Sequence, residues 1–153
     1  MRRLIVFFAT AAYSGFVPVA PGTAGSLVGL IVAWAVFGRL CQVSWQIAAV
    51  VFVALFVLAC WIAGRAEEIV GEPDSPHIVI DEVFGMVATM FLNPVDPVHL
   101  VVGFALFRLF DITKPFPAGL IERRLRGGAG VMLDDLAAAI YANIALRILA
   151  RII

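Results

Sequence analysis

The sequence FRLFDITKPFPAGLIERRLRGGAGVMLDD, residues 107–135, separates two strongly apolar segments and decides how the chain folds. It holds five basic side chains and four carboxylates in a chain that is otherwise mostly apolar. Pro115 predicts that the helix before it ends near Lys114. If the apolar segments on both sides enter a membrane, this stretch lies at one membrane face. Such a mixture of acids, bases and glycines suits a divalent metal ion and a phosphate group better than a packed core.

The composition predicts a membrane protein. Hydrophobic residues make up 63% of the 153 residues and charged residues only 14%, and the mean hydropathy is +1.03. Soluble domains are about 45–50% apolar. The net charge of zero argues against a nucleic-acid partner, because proteins that neutralise many phosphates are normally strongly basic. We therefore expect a single integral membrane domain, residues 1–153, whose partner is lipid.

Five apolar segments predict membrane helices, namely residues 24–41, 43–64, 83–92, 98–110 and 133 to the C terminus. The segment 43–64 has 22 residues without a charge, and about 20 suffice to cross the hydrocarbon. The segment 83–92 is too short to cross even when extended back to Ile78, because such a helix measures only about 22 Å. We expect it to form a hairpin with 98–110. The predicted fold is an all-α, multi-pass membrane helical bundle with short and partly re-entrant helices.

The distribution of basic residues predicts the orientation in the membrane. If the loop before Ser26 is cytoplasmic, threading the helices places eight of the eleven Lys and Arg residues on the cytoplasmic side. Positively charged residues are enriched in cytoplasmic loops, which supports this choice. The same threading brings every polar cluster to one face, so the site is expected to face the cytoplasm.

Five carboxylates enter this face from three different helices: Asp81, Glu82, Asp111, Asp134 and Asp135. Acids at membrane depth are costly unless they are paired or coordinate a metal. Oxygen ligands without nearby His or Cys select a hard ion, and Mg²⁺ is the expected one. Structural roles that need no metal remain open for these acids. The pair in 81–82 can stabilise a helix N-terminus, one of 134–135 can cap a helix, and the acid at 111 can form an ion-pair ladder with Arg108 and Lys114.

Basic and small residues supply a possible anion site on the same face. Lys114, Arg108, Arg123 and Arg124 could neutralise phosphate oxygens, although juxtamembrane arginines also bind anionic lipid headgroups. The amides of Gly127 and Gly128 could approach an anion, or this segment could be a flexible connection. Thr23 and Ser26 could donate hydroxyl groups to a phosphate or cap their helix.

Four motifs, in this order, resemble the phosphatidylglycerophosphatase A family of small bacterial membrane lipid phosphatases. They are APGTAGS at 20–26, IDEVFG at 80–85, FRLFDITKPFP at 107–117 and GGAGVMLDD at 127–135. Phe116 stands where the family commonly has Trp, and Asp74-Ser75-Pro76 replaces a more usual Asp-Pro. The resemblance implies Mg²⁺-dependent hydrolysis of phosphatidylglycerophosphate to phosphatidylglycerol at the cytoplasmic face of the inner membrane.

The resulting hypothesis assigns metal binding to the five carboxylates, with one of them acting as base toward a metal-activated water. The expected catalytic residues are Asp81, Glu82, Asp111, Lys114, Asp134 and Asp135, and the expected substrate-binding residues are Thr23, Ser26, Arg108, Arg123, Arg124, Gly127 and Gly128. A phosphohistidine mechanism would depend on His77 alone. The alternative function is an ion carrier or channel with a metal site at the cytoplasmic face. The oligomeric state stays open.

Overall fold

The computed structural model describes residues 1–73, 75–125 and 127–152, and for Glu122 it describes the backbone only. Asp74, noted above, and Arg126, one of the basic residues, therefore lie outside the described residues. Within these ranges the chain is helical and contains no strand, which confirms the all-α prediction. The helices are α1 (Arg2–Ala9), α2 (Pro21–Val32), α3 (Gly38–Val43), α4 (Trp45–Val70), α5 (Ile80–Met90), α6 (Pro97–Thr113), α7 (Ala118–Arg124) and α8 (Gly128–Leu149).

Among the described residues, three helical segments are long and apolar enough to cross a membrane. They are Pro21–Val43, Trp45–Val70 and Gly128–Leu149. The first combines α2 and α3 through one π-helical stretch, Ala33–Phe37. In contrast, α5 has only 11 residues, so its length of about 16 Å is half of the hydrocarbon thickness. The predicted hairpin of two short helices is therefore present as α5 and α6.

The central helix of the bundle is α5, which packs against α2, α6 and α8. Its buried side chains Met86 and Met90 lie in one apolar core with Phe107 of α6 and Leu146 of α8. Gly29 of α2 has no room for a Cβ, because that atom would lie 2.7 Å from the carbonyl oxygen of Val83. Small residues of this kind let helices approach closely inside a membrane. The short helix is thus enclosed by longer ones.

The starts of α2, α5 and α8 and the end of α4 lie on the same side of the bundle. Gly25 lies beside Val79, at the start of α5, and Gly29 lies beside Val83 and Met86, so α2 and α5 run parallel. Gly128, at the start of α8, packs on Gly64 near the end of α4. We call this side of the bundle the polar end; it contains Asp81, Asp111, Lys114 and Asp135.

Several helix boundaries differ from the prediction, three of them at or beside the polar end. The first long helix already begins at Pro21, because proline is accommodated in the first turn. The next, α4, continues past Gly64 to Val70, where Arg65 pairs with Glu68 on its surface. The last begins at Gly128 and not near Leu133. The glycine-rich segment is therefore the first turn of α8 and not a flexible connection.

Candidate active site

Asp81 and Glu82 occupy the first turn of α5 at the polar end. Asp81 is only 7% exposed, and its Oδ1 accepts a hydrogen bond of 3.0 Å from the backbone N–H of Glu82. Gly22 of α2 lies directly against the Glu82 carboxylate, so that a Cβ at position 22 would collide with it. The close approach of α2 therefore holds Glu82 in place.

Asp134 and Asp135 lie in α8 and are each 5% exposed. Asp135 points toward α5, and one carboxylate oxygen from each of Asp81, Glu82 and Asp135 lies within 4.8 Å of the others. We call these three residues the carboxylate cluster. Asp134 faces the end of α6 instead, where its Oδ2 lies 2.7 Å from Nζ of Lys114. The two adjacent acids thus serve two neighbouring parts of one site.

Asp111, in the last turn of α6, borders the carboxylate cluster. Its charge lies close to both Glu82 and Asp135, and its Oδ2 is 2.7 Å from Nη1 of Arg108. The same guanidinium nitrogen donates to Oγ of Ser26 at 3.4 Å. The predicted ladder is therefore present between Arg108 and Asp111, and the hydroxyl of Ser26 helps to orient Arg108.

Lys114 ends α6 in the left-handed conformation, with φ of 40°. This conformation is uncommon for residues other than glycine, and strained residues of this kind cluster at functional sites. The turn directs the Lys114 ammonium to Asp134 of α8. The sequence spacing predicts a different partner, Asp111, on the same helix as Lys114. Sequence spacing reveals partners within one helix but not partners brought together by the fold.

The carboxylate cluster fits a small hard cation. Oε2 of Glu82 and Oδ2 of Asp135 are buried, and neither has a hydrogen-bond partner in the described part of the chain. Neighbouring buried carboxylates without donors are strongly unfavourable unless a cation compensates them. All the possible metal ligands in this cluster are oxygen atoms, and Mg²⁺ binds such atoms at about 2.0–2.1 Å. The three carboxylates therefore form a group that could hold one metal ion.

The remaining predicted residues lie at the same end with different surroundings. Thr23 is half-buried in the first turn of α2, and Ser26 also donates a 2.8 Å hydrogen bond to the carbonyl oxygen of Gly22. Arg123 and Arg124 are exposed at the end of α7. Arg123 lines a cavity of about 220 Å³ together with Lys114, Phe116, Gly119 and Leu120. An anion-binding role for these residues stays a prediction.

The glycines at the start of α8 have a packing role. Gly127 adopts φ of 76° just before the helix, a conformation that favours glycine. Gly128 lies so close to Cys60 and Gly64 of α4 that no Cβ could be accommodated. Helix packing therefore explains glycine at position 128, and contact of these amides with substrate stays a prediction.

His77 contacts the N-terminal segment of the chain. Its Nδ1 lies 2.9 Å from the carbonyl oxygen of Gly15, and its ring stacks on Phe16 with a centroid distance of 4.8 Å. These contacts attach the N-terminal segment to the loop before α5. Gly22 contacts the Glu82 carboxylate but is not among the predicted site residues. Its position directly before Thr23 in the motif at 20–26 could have indicated this role.

Comparison with known proteins gives concordant results. A family model described as Phosphatidylglycerophosphatase A matches residues 7–150. A Bacteroides thetaiotaomicron protein named "Putative phosphatidylinositol-3-phosphatase" is 36% identical over 150 residues, which are 95% of this chain and 92% of that protein. Phosphatidylglycerophosphatase A of Haemophilus influenzae is 38% identical over 86% of this chain and 79% of its own. The Escherichia coli protein of the same name is 33% identical over 84% and 73%. No solved structure matches the chain significantly.

Proposed function

Because the chain belongs to the phosphatidylglycerophosphatase A family, we propose that it hydrolyses phosphatidylglycerophosphate to phosphatidylglycerol and inorganic phosphate. Family membership makes the chain a lipid phosphatase. The observation that carries the mechanism is the carboxylate cluster, whose buried oxygens on Glu82 and Asp135 lack donors within the described residues. Two basic side chains near this cluster, Arg108 and Lys114, would complete a site for a phosphate monoester.

Asp81, Glu82 and Asp135 would hold Mg²⁺, with Asp111 and Asp134 at the border of the metal site. Bound there, Mg²⁺ would draw electron density from the phosphoryl oxygens and make water a better nucleophile at neutral pH. Asp111 and Asp134 each have a basic partner, at 2.7 Å in both cases. Their role would be to orient Arg108 and Lys114 and to add negative charge around the metal.

The basic side chains would stabilise the charge that develops on the phosphoryl group. Arg108 is fixed by Asp111 and Ser26, and Lys114 is fixed by Asp134. Donors positioned before the reaction need little reorganisation when charge develops, and phosphoryl transfer depends mainly on positioning and charge stabilisation. Hydrolysis forms a bond from the water oxygen to phosphorus and breaks the bond from phosphorus to the glycerol oxygen. One carboxylate of the site would accept the proton of water, and the departing glycerol oxygen gains a proton.

The cavity beside Lys114 offers a place for the second phosphate of the substrate. Phosphatidylglycerophosphate has a terminal phosphate monoester and an inner phosphodiester. Lys114 belongs both to the cavity and to the ion pair with Asp134, so the two binding regions adjoin. We assign the inner phosphodiester to the cavity, with Arg123 as its second cation. Phosphatidylinositol 3-phosphate has the same two kinds of phosphate, so this arrangement suits either headgroup.

The membrane supplies the rest of the binding energy. The three long apolar segments make the protein integral to the membrane, and the bacterial relatives are consistent with the inner membrane. The positive-inside rule supports a polar end that faces the cytoplasm. The acyl chains would then stay in the inner leaflet while the headgroup reaches the carboxylate cluster.

The ion-channel alternative is less compatible with the core. Met86, Met90, Phe107 and Leu146 are each at most 3% exposed and fill the space beyond the polar end. A conduction pathway needs polar or charged groups along its length. In the parts of the chain that the structure describes, the buried acids are confined to the polar end. This distribution favours a catalytic site over a pathway.

Direct assay of the purified protein tests the proposed activity. The protein in detergent micelles is incubated with phosphatidylglycerophosphate and Mg²⁺, and both products are quantified. We expect equal amounts of phosphatidylglycerol and phosphate. Absence of turnover by a folded protein, or Mg²⁺ flux into liposomes without hydrolysis, would refute the proposal.

A further inference from the structure

The C-terminal end of α5, at Met90, is buried in the apolar core of the bundle. The helix starts with Asp81 at the polar end and is only about 16 Å long, so that it ends well short of the opposite face. The last carbonyl groups of a helix have no partner within the helix. Inside a membrane no water is present to satisfy them, so protein groups must do so.

The following loop supplies some of these partners, through the backbone N–H groups of Phe91 and Asn93 and Nδ2 of Asn93. Two polar side chains of α8 supply the others. Nδ2 of Asn143 lies 3.1 Å from the carbonyl oxygen of Ala88 and 2.9 Å from those of Thr89 and Phe91. Nη2 of Arg147 donates to the carbonyl oxygen of Phe91 at 3.0 Å, and its Nε donates to Oδ1 of Asn143 at 2.9 Å. We call Asn143 and Arg147 the α5 cap.

The α5 cap and the carboxylate cluster connect the same two helices at opposite ends of α5. Asn143 follows Asp135 on α8 by eight residues, or about 12 Å. On α5, Asp81 and Glu82 precede the capped carbonyl groups by about two helical turns. A shift of α5 along α8 by one residue, about 1.5 Å, would break the hydrogen bonds at one end and separate the carboxylates at the other.

Between these two ends, the part of α8 that belongs to the core is formed by small side chains. In this region α8 contributes Ala138, Ala139 and Ala142, all buried in the core. Alanines allow close approach, but they give few interlocking contacts that would oppose sliding. A single buried Asn is known to set the register of packed helices. Asn143, which contacts three carbonyl groups, can provide this restraint here.

We propose that Asn143 and Arg147 are positioning residues, which hold α5 in the register that brings Asp81 and Glu82 to Asp135. The inference rests on the proposed function, because it concerns the metal affinity of that site. Displacement of a reacting group by about 1 Å can lower activity about 100-fold even when the mutation is distant. Loss of the α5 cap is therefore expected to weaken metal binding while the protein remains folded.

Mn²⁺ binding to the substrate-free protein in detergent tests this inference. Free Mn²⁺ is quantified by electron paramagnetic resonance for the wild type, Asn143→Ala, Arg147→Ala and the control Ile148→Ala, a residue that is 59% exposed. Circular dichroism and gel filtration verify folding. We expect Asn143→Ala to raise the Kd for Mn²⁺ about tenfold, Arg147→Ala to raise it less, and the control to leave it unchanged.

The outcomes separate this inference from the proposed function. If the wild type binds no Mn²⁺, the metal site and the inference that rests on it are both overturned. If the wild type binds and folded Asn143→Ala binds equally well, only the positioning role is overturned. If Asn143→Ala does not fold, an unchanged Kd in folded Arg147→Ala overturns the role. A purely structural cap would lower the unfolding temperature without changing the Kd below it.

Discussion

Nζ of Lys114 lies 2.7 Å from Oδ2 of Asp134, and this ion pair joins the end of α6 to α8 beside the carboxylate cluster. Asp134 is buried, and its neighbour Asp135 belongs to the cluster itself. One turn of α8 therefore provides both a carboxylate of the proposed metal site and a partner of Lys114. The Lys114 ammonium would therefore lie next to the proposed Mg²⁺. Two adjacent positive charges of this kind suit the two negative charges of a phosphate monoester.

Lys114→Met should strongly reduce catalysis, because it removes the cation and keeps most of the apolar stem. We expect kcat for phosphate release to fall about 100-fold, with Lys114→Arg retaining more activity. The free energy of unfolding should also decrease by about 1–3 kcal/mol, since Asp134 loses the hydrogen bond from the Lys114 ammonium. Steady-state kinetics and thermal unfolding of the three proteins measure the two effects separately. Unchanged kcat in Lys114→Met would exclude a catalytic role for this cation.

Gly22→Ala should disturb the metal site from the side of α2. The added Cβ would meet the Glu82 carboxylate and would also lie 3.4 Å from Nη1 of Arg108. We expect the Mg²⁺ concentration for half-maximal activity to rise about tenfold. Gly64→Ala is the matched control, because its Cβ would meet its nearest neighbour at 3.6 Å, an ordinary contact. Equal Mg²⁺ dependence of both variants would argue against a close contact between α2 and Glu82.

Arg123→Ala should change substrate preference more than it changes the chemical step. If the cavity binds the inner phosphodiester, KM for phosphatidylglycerophosphate should rise about tenfold, equivalent to about 1.4 kcal/mol. Phosphatidate, which has a monoester but no inner diester, should be hydrolysed as by the wild type. Arg65→Ala is the control, because Arg65 is exposed on α4 and is not among the residues that line the cavity. A parallel loss with both lipids would contradict the assignment.

Much of the fold follows from the distribution of apolar residues. Residues 43–64 lack charges and are long enough to span, and the short apolar segments around residues 93–97 do form a broken pair of helices. The end of α4 at Val70 was not predictable in this way, because charged residues are compatible with a helix that projects beyond the membrane. The start of α8 was missed because glycine is a poor helix former in isolation, and packing against α4 compensates for this.

The candidate site was predictable in composition but not in its contacts. Acids followed by apolar runs indicated that several carboxylates share one face, and the structure brings Asp81, Glu82 and Asp135 together. The partner of Lys114 and the role of Gly22 depend on how different helices pack. Asn143 illustrates the limit most clearly. A lone amide within an apolar helix does not reveal its partner in the sequence, and the structure shows that Asn143 contacts carbonyl groups at the end of α5.

The central claim is that the carboxylate cluster acts through a bound divalent cation. The most direct test is phosphate release from phosphatidylglycerophosphate by the wild type and by Asp135→Asn, first after EDTA treatment and then with Mg²⁺ restored. We predict that the chelated wild type is inactive and recovers with Mg²⁺. Asp135→Asn should stay at least about 100-fold less active at saturating substrate although it remains folded. Full activity of the chelated wild type, or wild-type turnover by Asp135→Asn, would contradict the account.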